Sequence, residues 1–141
     1  MSKSKNDDFI KKHILDIGEI SFYKKYLIVR INNGVLLDYE SASPILELAY
    51  FYYSDQKPFV YITDRINSYS FNPTAHFTTT RNFPNVKGYA VIAHDSLKRN
   101  IAVMEQQFLD IPKKIFISVE DAIEWAEQII NNHKGLPTKL R

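Results

Sequence analysis

The chain has 141 residues, 45% of them apolar and 24% charged, and it contains no cysteine. That length and balance fit one globular domain with its own core, and they exclude disulfides, zinc–thiolate sites and cysteine nucleophiles. The formal net charge of +2 belongs to the ends: residues 1–18 carry four Lys/Arg against three Asp/Glu, residues 134–141 carry three against none, and 19–133 carry 11 against 13. The domain is therefore not expected to have the basic face that nucleic-acid binding uses.

Residues 1–8 are polar and are expected to fray. The opening "MSKSKNDDFIKKHILD" has neither the apolar run nor the small-residue cleavage pattern of a secretory signal. No stretch approaches the roughly 20 apolar residues of a membrane span, so the expected location is the cytoplasm. Phe9, Ile10, His13, Ile14 and Ile17 recur at near-helical spacing and read as a short docking helix or an extended arm. Residues 1–16 are treated as an arm, 17–133 as the domain and 134–141 as a basic tail.

The domain opens on two β-rich runs, Glu19–Tyr23 and Tyr26–Asn32, that flank Lys24-Lys25 and read as an antiparallel hairpin. "NNG" at Asn32–Gly34 ends the second run with residues that tolerate left-handed backbone. Ile45, Leu48, Ala49 and Tyr52 then fall on one helix face, with Tyr50, Phe51 and Tyr53 outside that stripe. Asp38 is a candidate cap. Pro44 either stands in the first turn behind a Ser43 cap or kinks a longer helix.

Pro58–Thr63 is a buried strand by its continuous β-branched and aromatic run, and Gly88–Ala93 is another. Between them, Asn72-Pro73 marks the start of a short Thr-rich helix. After the second strand, Asp95 or Ser96 caps a helix whose inner stripe is expected to be Leu97, Ile101, Met104 and Phe108. A short strand, Lys114–Ile117, leads into a capping box from Ser118 to Asp121. Ala122, Ile123, Ala126 and Ile130 face inward from that last helix. Gly135 and Pro137 mark the tail.

The resulting order is β-β-α-β-α-β-α-β-α. It predicts an α/β fold with an N-terminal β-hairpin and then β-α repeats, giving a mostly parallel, sequentially ordered sheet layered with helices. This starting hairpin, the strand–helix units and the closing "SVEDAIEW" together resemble the STAS class, the fold of bacterial anti-sigma-factor antagonists. In particular they resemble the small STAS-like proteins of bacteria, over roughly Ile17 to Asn131. The resemblance implies a non-enzymatic regulatory or protein-interaction module that meets a protein partner through the loop after its third strand. In the antagonists that loop carries a phosphorylatable serine in a pattern like Asp-Ser-x-Gly. The matching place here reads Asp64-Arg65-Ile66-Asn67-Ser68-Tyr69-Ser70, with serines but without that pattern or its glycine, so Ser68 and Ser70 are candidates by location.

The residues of this loop have two readings of their own. Ligands favour the carboxyl ends of parallel strands, where Arg65 and Arg99 would frame a small anion site. Alternatively Asp64 and Asn67 tie up loop backbone and Arg65 forms an ion pair.

"HDS" at His94–Ser96 is not a triad, because consecutive side chains diverge. The four histidines, His13, His76, His94 and His133, lack metal-ligand spacing, and four glycines form no phosphate loop. No enzyme activity, metal or cofactor is expected. Phe59, Tyr61 and Tyr89, with Tyr23 or Tyr26, are expected to form an aromatic sheet face opposite the helices. It is covered by the Phe9–Ile17 segment, by a second copy in a homodimer, or by a ligand. The alternative function is a small-ligand or lipid-binding protein with a cavity between sheet and helices.

Overall fold

The structure is a computed structural model that describes residues 8–73 and 83–140, with 134–140 as backbone. The strands are β1 (Phe9–Leu15), β2 (Gly18–Tyr23), β3 (Tyr26–Ile31), β4 (Leu36–Leu37), β5 (Phe59–Arg65), β6 (Ser70–Phe71), β7 (Val86–Ala93) and β8 (Lys113–Phe116). The helices are α1 (Ser43–Tyr52), α2 (Ser96–Gln106) and α3 (Val119–Leu140). The short helix expected after Asn72-Pro73 lies outside the described residues, as does His76.

A six-stranded sheet runs in the order β1-β2-β3-β5-β7-β8. The sequential order is as expected, but the sheet is mixed. β1, β2 and β3 pair antiparallel, and β3, β5, β7 and β8 pair parallel. The extra antiparallel pair comes from the N-terminal segment. Of the two readings of this segment the extended one holds: Phe9–Leu15 is a strand, not a helix, and rather than folding over the aromatic face it pairs edge-on with β2, from Phe9 opposite Tyr23 to Leu15 opposite Gly18. The tight turn between them needs glycine, because a Cβ at Gly18 would meet the Arg30 carbonyl oxygen at 2.2 Å. The Lys24-Lys25 hairpin forms with Phe22 opposite Leu27. Both outer strands carry adjacent exposed lysines, Lys11-Lys12 on β1 and Lys113-Lys114 on β8.

Alternation along the strands divides the core between the two faces. On one face Tyr26, Ile28, Val60, Ile62, Ala90 and Ile92 meet Ala122, Ile123, Ala126 and Ile130 of α3, the four residues the sequence pointed inward. Trp125 packs over Gly88, where a Cβ would approach its ring to 3.2 Å. On the other face Ile20, Phe22, Leu27, Val29 and Phe59 meet Ile45, Leu46 and Ala49 of α1. Further along, Val91 and Ala93 meet Ala102 of α2.

The aromatic face is therefore covered from within the chain. Phe59 stacks on buried Tyr53 at 4.2 Å and Tyr61 on Tyr89 at 5.4 Å, with Phe59 buried and Tyr61 and Tyr89 half-buried. Tyr23 and Tyr26 stack on each other at 4.6 Å on the opposite, α3 side. Tyr53 belongs to the core because its hydroxyl donates to the carbonyls of Tyr23 and Tyr26, closing the base of the β2–β3 hairpin.

The helix ends follow local chemistry. Ala42 precedes the first turn of α1 and Pro44 stands inside that turn, where the missing N–H costs nothing, so the helix is not kinked there. Asp38 instead organises the preceding turn, accepting from the Ser41 N–H at 2.8 Å. Asp95 caps α2 by accepting from the Lys98 N–H at 2.8 Å. Ser118 accepts from the Asp121 N–H at 3.1 Å at the start of α3. The α3 backbone stays helical to Leu140, through the residues expected as a tail.

α2 departs most from expectation. Leu97 and Met104 are 69% and 66% exposed, Ile101 is 40% exposed, and the buried residues are Ala102, Glu105 and Gln106. Polar partners inside the fold set this orientation. Glu105 pairs with Arg65, and the Gln106 side-chain amide donates to the Lys114 carbonyl at 3.3 Å. Ala102 is small enough to lie close on β7.

Candidate contact surface at the carboxyl edge of the sheet

β5 runs two residues further than the apolar pattern suggests. Its parallel partner β7 continues alongside, pairing Asp64 with Ile92 and Arg65 with Ala93. Asp64 and Arg65 thus belong to the ladder, not to a loop, and both are buried. Alternation sends them to opposite faces.

Asp64 points to the α3 face, one step beyond Ile62. Its Oδ2 accepts from Arg30 Nε at 3.0 Å, and its Oδ1 lies 2.7 Å from His94 Nε2. An ionised carboxylate only accepts, so Nε2 carries the hydrogen and Nδ1 holds the lone pair when the ring is neutral. Arg30 also lies 3.5 Å from Glu19, which lies 3.3 Å from Lys12. Lys12, Glu19, Arg30 and Asp64 therefore set charges of alternating sign across the sheet from β1 to β5, and the His94 ring ends the row through its hydrogen bond to Asp64. Asp64 is 2% exposed at its side chain and His94 is 42% exposed, so the row is buried at its centre and open at its ends. Beside it a cleft of about 240 Å³ is lined by Glu19, Arg30, Asn32 and Asn67.

Arg65 points to the other face. It forms an ion pair with Glu105 of α2, and its guanidinium lies 4.5 Å from the centre of the Tyr69 ring. Burial works against the Arg65 charge, but Tyr69 and Glu105 more than offset it and hold the pKa above the ordinary value. Burial also raises the Glu105 carboxyl, against the pull of Arg65. Arg99 lies elsewhere, exposed on α2. Arg65 spends its guanidinium on Glu105 and Tyr69, while Arg99 stands in solvent. The ion-pair reading of Arg65 describes what it does.

The loop itself is Ile66–Tyr69, and "NNG" holds it. Asn67 Nδ2 donates to the Ile31 carbonyl at 2.9 Å. The Ser68 N–H donates to Asn33 Oδ1 at 2.8 Å, and the Gly34 N–H to the Ser68 carbonyl at 2.9 Å. Gly34 sits at φ 79°, the left-handed backbone that the sequence assigned to this turn. Ser70 pairs with Leu36 in the small β4–β6 sheet. Ile66, Ser68 and Ser70 are exposed, while Tyr69 turns inward, its hydroxyl 3.1 Å from Thr63 Oγ1.

A cavity of about 50 Å³ lies on this side, between the sheet and α1, with Leu46, Tyr61, Thr63, Tyr69, Tyr89 and Ile111 among its walls. Among the described residues no group of three or more His, Asp or Glu is placed to hold a metal ion. No helix among them is long and apolar enough to cross a membrane.

Sequence reasoning placed the serines at this edge but missed Arg30, His94 and Glu105 as partners of its charged residues. A usable signal was the parity of the strands. If β5 is carried to Arg65, Asp64 falls on the Ile62 side, level with the end of the next strand, and Arg65 falls on the Tyr61 side.

The sheet order, the helices on both faces and the extended hairpin start define a SpoIIAA-like, that is STAS-like, α/β fold. A solved structure shares it: an uncharacterised protein of the DUF3478 family from Shewanella loihica PV-4, described as having a SpoIIAA-like fold. It is 19% identical, with a TM-score of 0.52 over 83% of this chain and 91% of that one. No family model matches this sequence, and no curated protein does.

Proposed function

We propose that this protein is a non-enzymatic regulatory module of the SpoIIAA type, cytoplasmic, that contacts a protein partner through the Ile66–Ser70 loop. The observation that carries the reading is the way the loop is held. The Asn67 side chain donates to the Ile31 carbonyl, and the Ser68 backbone donates to Asn33 Oδ1 and accepts from the Gly34 N–H. Its side chains at Ile66 and Ser68 stand in solvent with no role in the core. A preorganised loop loses little entropy on binding. Asp64, Arg65 and Asn67 support the loop from beneath. Ser68, and then Ser70, offer exposed hydroxyls where a phosphate would change the contact.

The ligand-carrier reading has less support. The cavity between sheet and helices measures about 50 Å³, about a third of the roughly 150 Å³ of an apolar cavity that takes up benzene. A lipid tail would require the core to open.

The test is affinity capture from native lysate with phosphosite mapping, using the wild-type chain and the Ile66→Asp and Ser68→Glu variants. A partner held by the wild type and lost from both variants supports the reading. A partner held equally by all three, or no partner and no phosphate at Ser68 or Ser70, counts against it.

A further inference from the structure

The cleft beside the contact loop has a chemistry of its own. It opens where the β1–β2 turn, the end of β3 and the Ile66–Tyr69 loop meet, with Ile14, Leu15, Glu19, Arg30, Asn32 and Asn67 among its walls. At about 240 Å³ it exceeds the roughly 150 Å³ of a cavity that takes up benzene, so it has room for one side chain of a second molecule.

Its donors are spent and its acceptors are left over. The Asn32 and Asn67 amides each donate to a backbone carbonyl, of Asp16 at 3.1 Å and of Ile31 at 2.9 Å. Those bonds fix which way round each amide stands, and neither Oδ1 has a donor among the described residues. Half-buried Glu19 adds a carboxylate. Arg30, the cation in the wall, is shared between two carboxylates, with Nε 3.0 Å from Asp64 and Nη1 3.5 Å from Glu19. Lys12 reaches Glu19 at 3.3 Å with a side chain 49% exposed. Such an exposed pair is weak and readily exchanged for another cation. Ile14 stands directly opposite Glu19 across β1 and β2 and sets an apolar wall beside the carboxylate.

Given the partner contact proposed above, on which this rests, we infer that the cleft receives an arginine side chain of that partner. Asn67 belongs both to the cleft and to the loop, so one partner segment reaches both. A guanidinium is planar, with five N–H donors and no acceptor, and it matches a carboxylate and two amide oxygens. The methylene stem of an arginine lies against Ile14. A lysine ammonium is a compact, strongly hydrated point charge and spans fewer of the oxygens. A carboxylate guest would face Glu19 and the two amide oxygens, with Arg30 already engaged.

NMR titration of the nitrogen-15-labelled full chain with Nα-acetyl-arginine methylamide tests this. The citrulline analogue, nearly the same shape without the charge, and the glutamate analogue are the controls. The expected result is saturable shifts at Gly18 and at the Asn32 and Asn67 side-chain amides, with a dissociation constant on the order of 1–10 mM, as suits a single side chain. Affinity is expected to fall at least tenfold for both controls, and for the arginine probe in Glu19→Gln, with circular dichroism as the check on folding. If Glu19→Gln fails to fold, Ile14→Lys takes its place with the same expected loss. Ile14 is 73% exposed, and a lysine there sets a competing cation beside Glu19. No saturable shift at the cleft up to about 50 mM arginine probe, citrulline or glutamate analogues that bind as well as arginine, or unchanged affinity in the variant would overturn the assignment. The probe needs no partner, so its result is separate from that of capture from lysate. In that capture, a partner held by Glu19→Gln as fully as by the wild type would overturn the arginine assignment and leave the loop contact standing.

Discussion

Arg65 and Glu105, forty residues apart, form an ion pair between the sheet and α2, with side chains only 7% and 11% exposed. The pair fixes which way α2 faces. Breaking it from one side leaves a charge buried without its partner, which typically costs about 3–5 kcal/mol. Arg65→Met and Glu105→Leu are each expected to destabilise on that scale. The double variant is expected to recover most of the loss, because neither charge remains. Urea denaturation of the four proteins checks this.

Asp64 fixes the ring of His94. Nitrogen-15 chemical shifts of the imidazole are expected to report hydrogen on Nε2 in the neutral wild type and a mixture of tautomers in Asp64→Ala. The same substitution removes an acceptor from Arg30 and is expected to cost about 1–3 kcal/mol. Wild-type tautomer ratios in Asp64→Ala would contradict the geometry.

Tyr26 is fully buried, and its hydroxyl has no hydrogen-bond partner among the described residues. Burial pushes its phenol well above the ordinary value. Tyr26→Phe keeps the ring stacked on Tyr23 and removes the orphaned oxygen. It is expected to stabilise the protein by about 1 kcal/mol, seen as a higher thermal midpoint. A loss of stability would mean that the hydroxyl is satisfied.

Two carboxylates hold backbone at turns. The Ser41 N–H lowers the pKa of Asp38, and the Lys98 N–H lowers that of Asp95. A depressed folded-state value gives stability that is present above the unfolded value, about 3.9, and lost as pH falls through the folded one. Glu105, raised by burial, acts in the opposite sense: its contribution is present below the unfolded value, about 4.3, and lost as pH rises through the folded one. Asp95→Asn is therefore expected to flatten the acid limb of the stability–pH curve, and Glu105→Gln to flatten the next limb above it. Denaturation midpoints taken between about pH 2 and 7 check both.

The order of elements was legible because local signals agreed with the fold. Ser118 and Asp121 announced α3, Pro44 suited a first turn, and "PFVYIT" and "GYAVIA" read as buried strands, as they are. What failed depended on distant partners. The near-helical apolar spacing of Phe9–Leu15 left a helix or an extended arm open, and the open edge of β2 decides for the extended form. Asp64 and Arg65 look like loop residues until Arg30 pairs with Asp64, His94 hydrogen-bonds it, and Glu105 pairs with Arg65. The stripe on α2 misled for the same reason, since a buried ion pair decided the orientation of the helix against its apolar pattern.

The lysine pairs on the two outer strands limit how this chain can assemble. An unpaired strand edge invites another strand to add to it, and adjacent cations make that addition repulsive. Lys11-Lys12 guards one end of the sheet and Lys113-Lys114 the other. Growth into continuous sheets is thereby opposed at both ends. The route to fibres is held shut by four side chains.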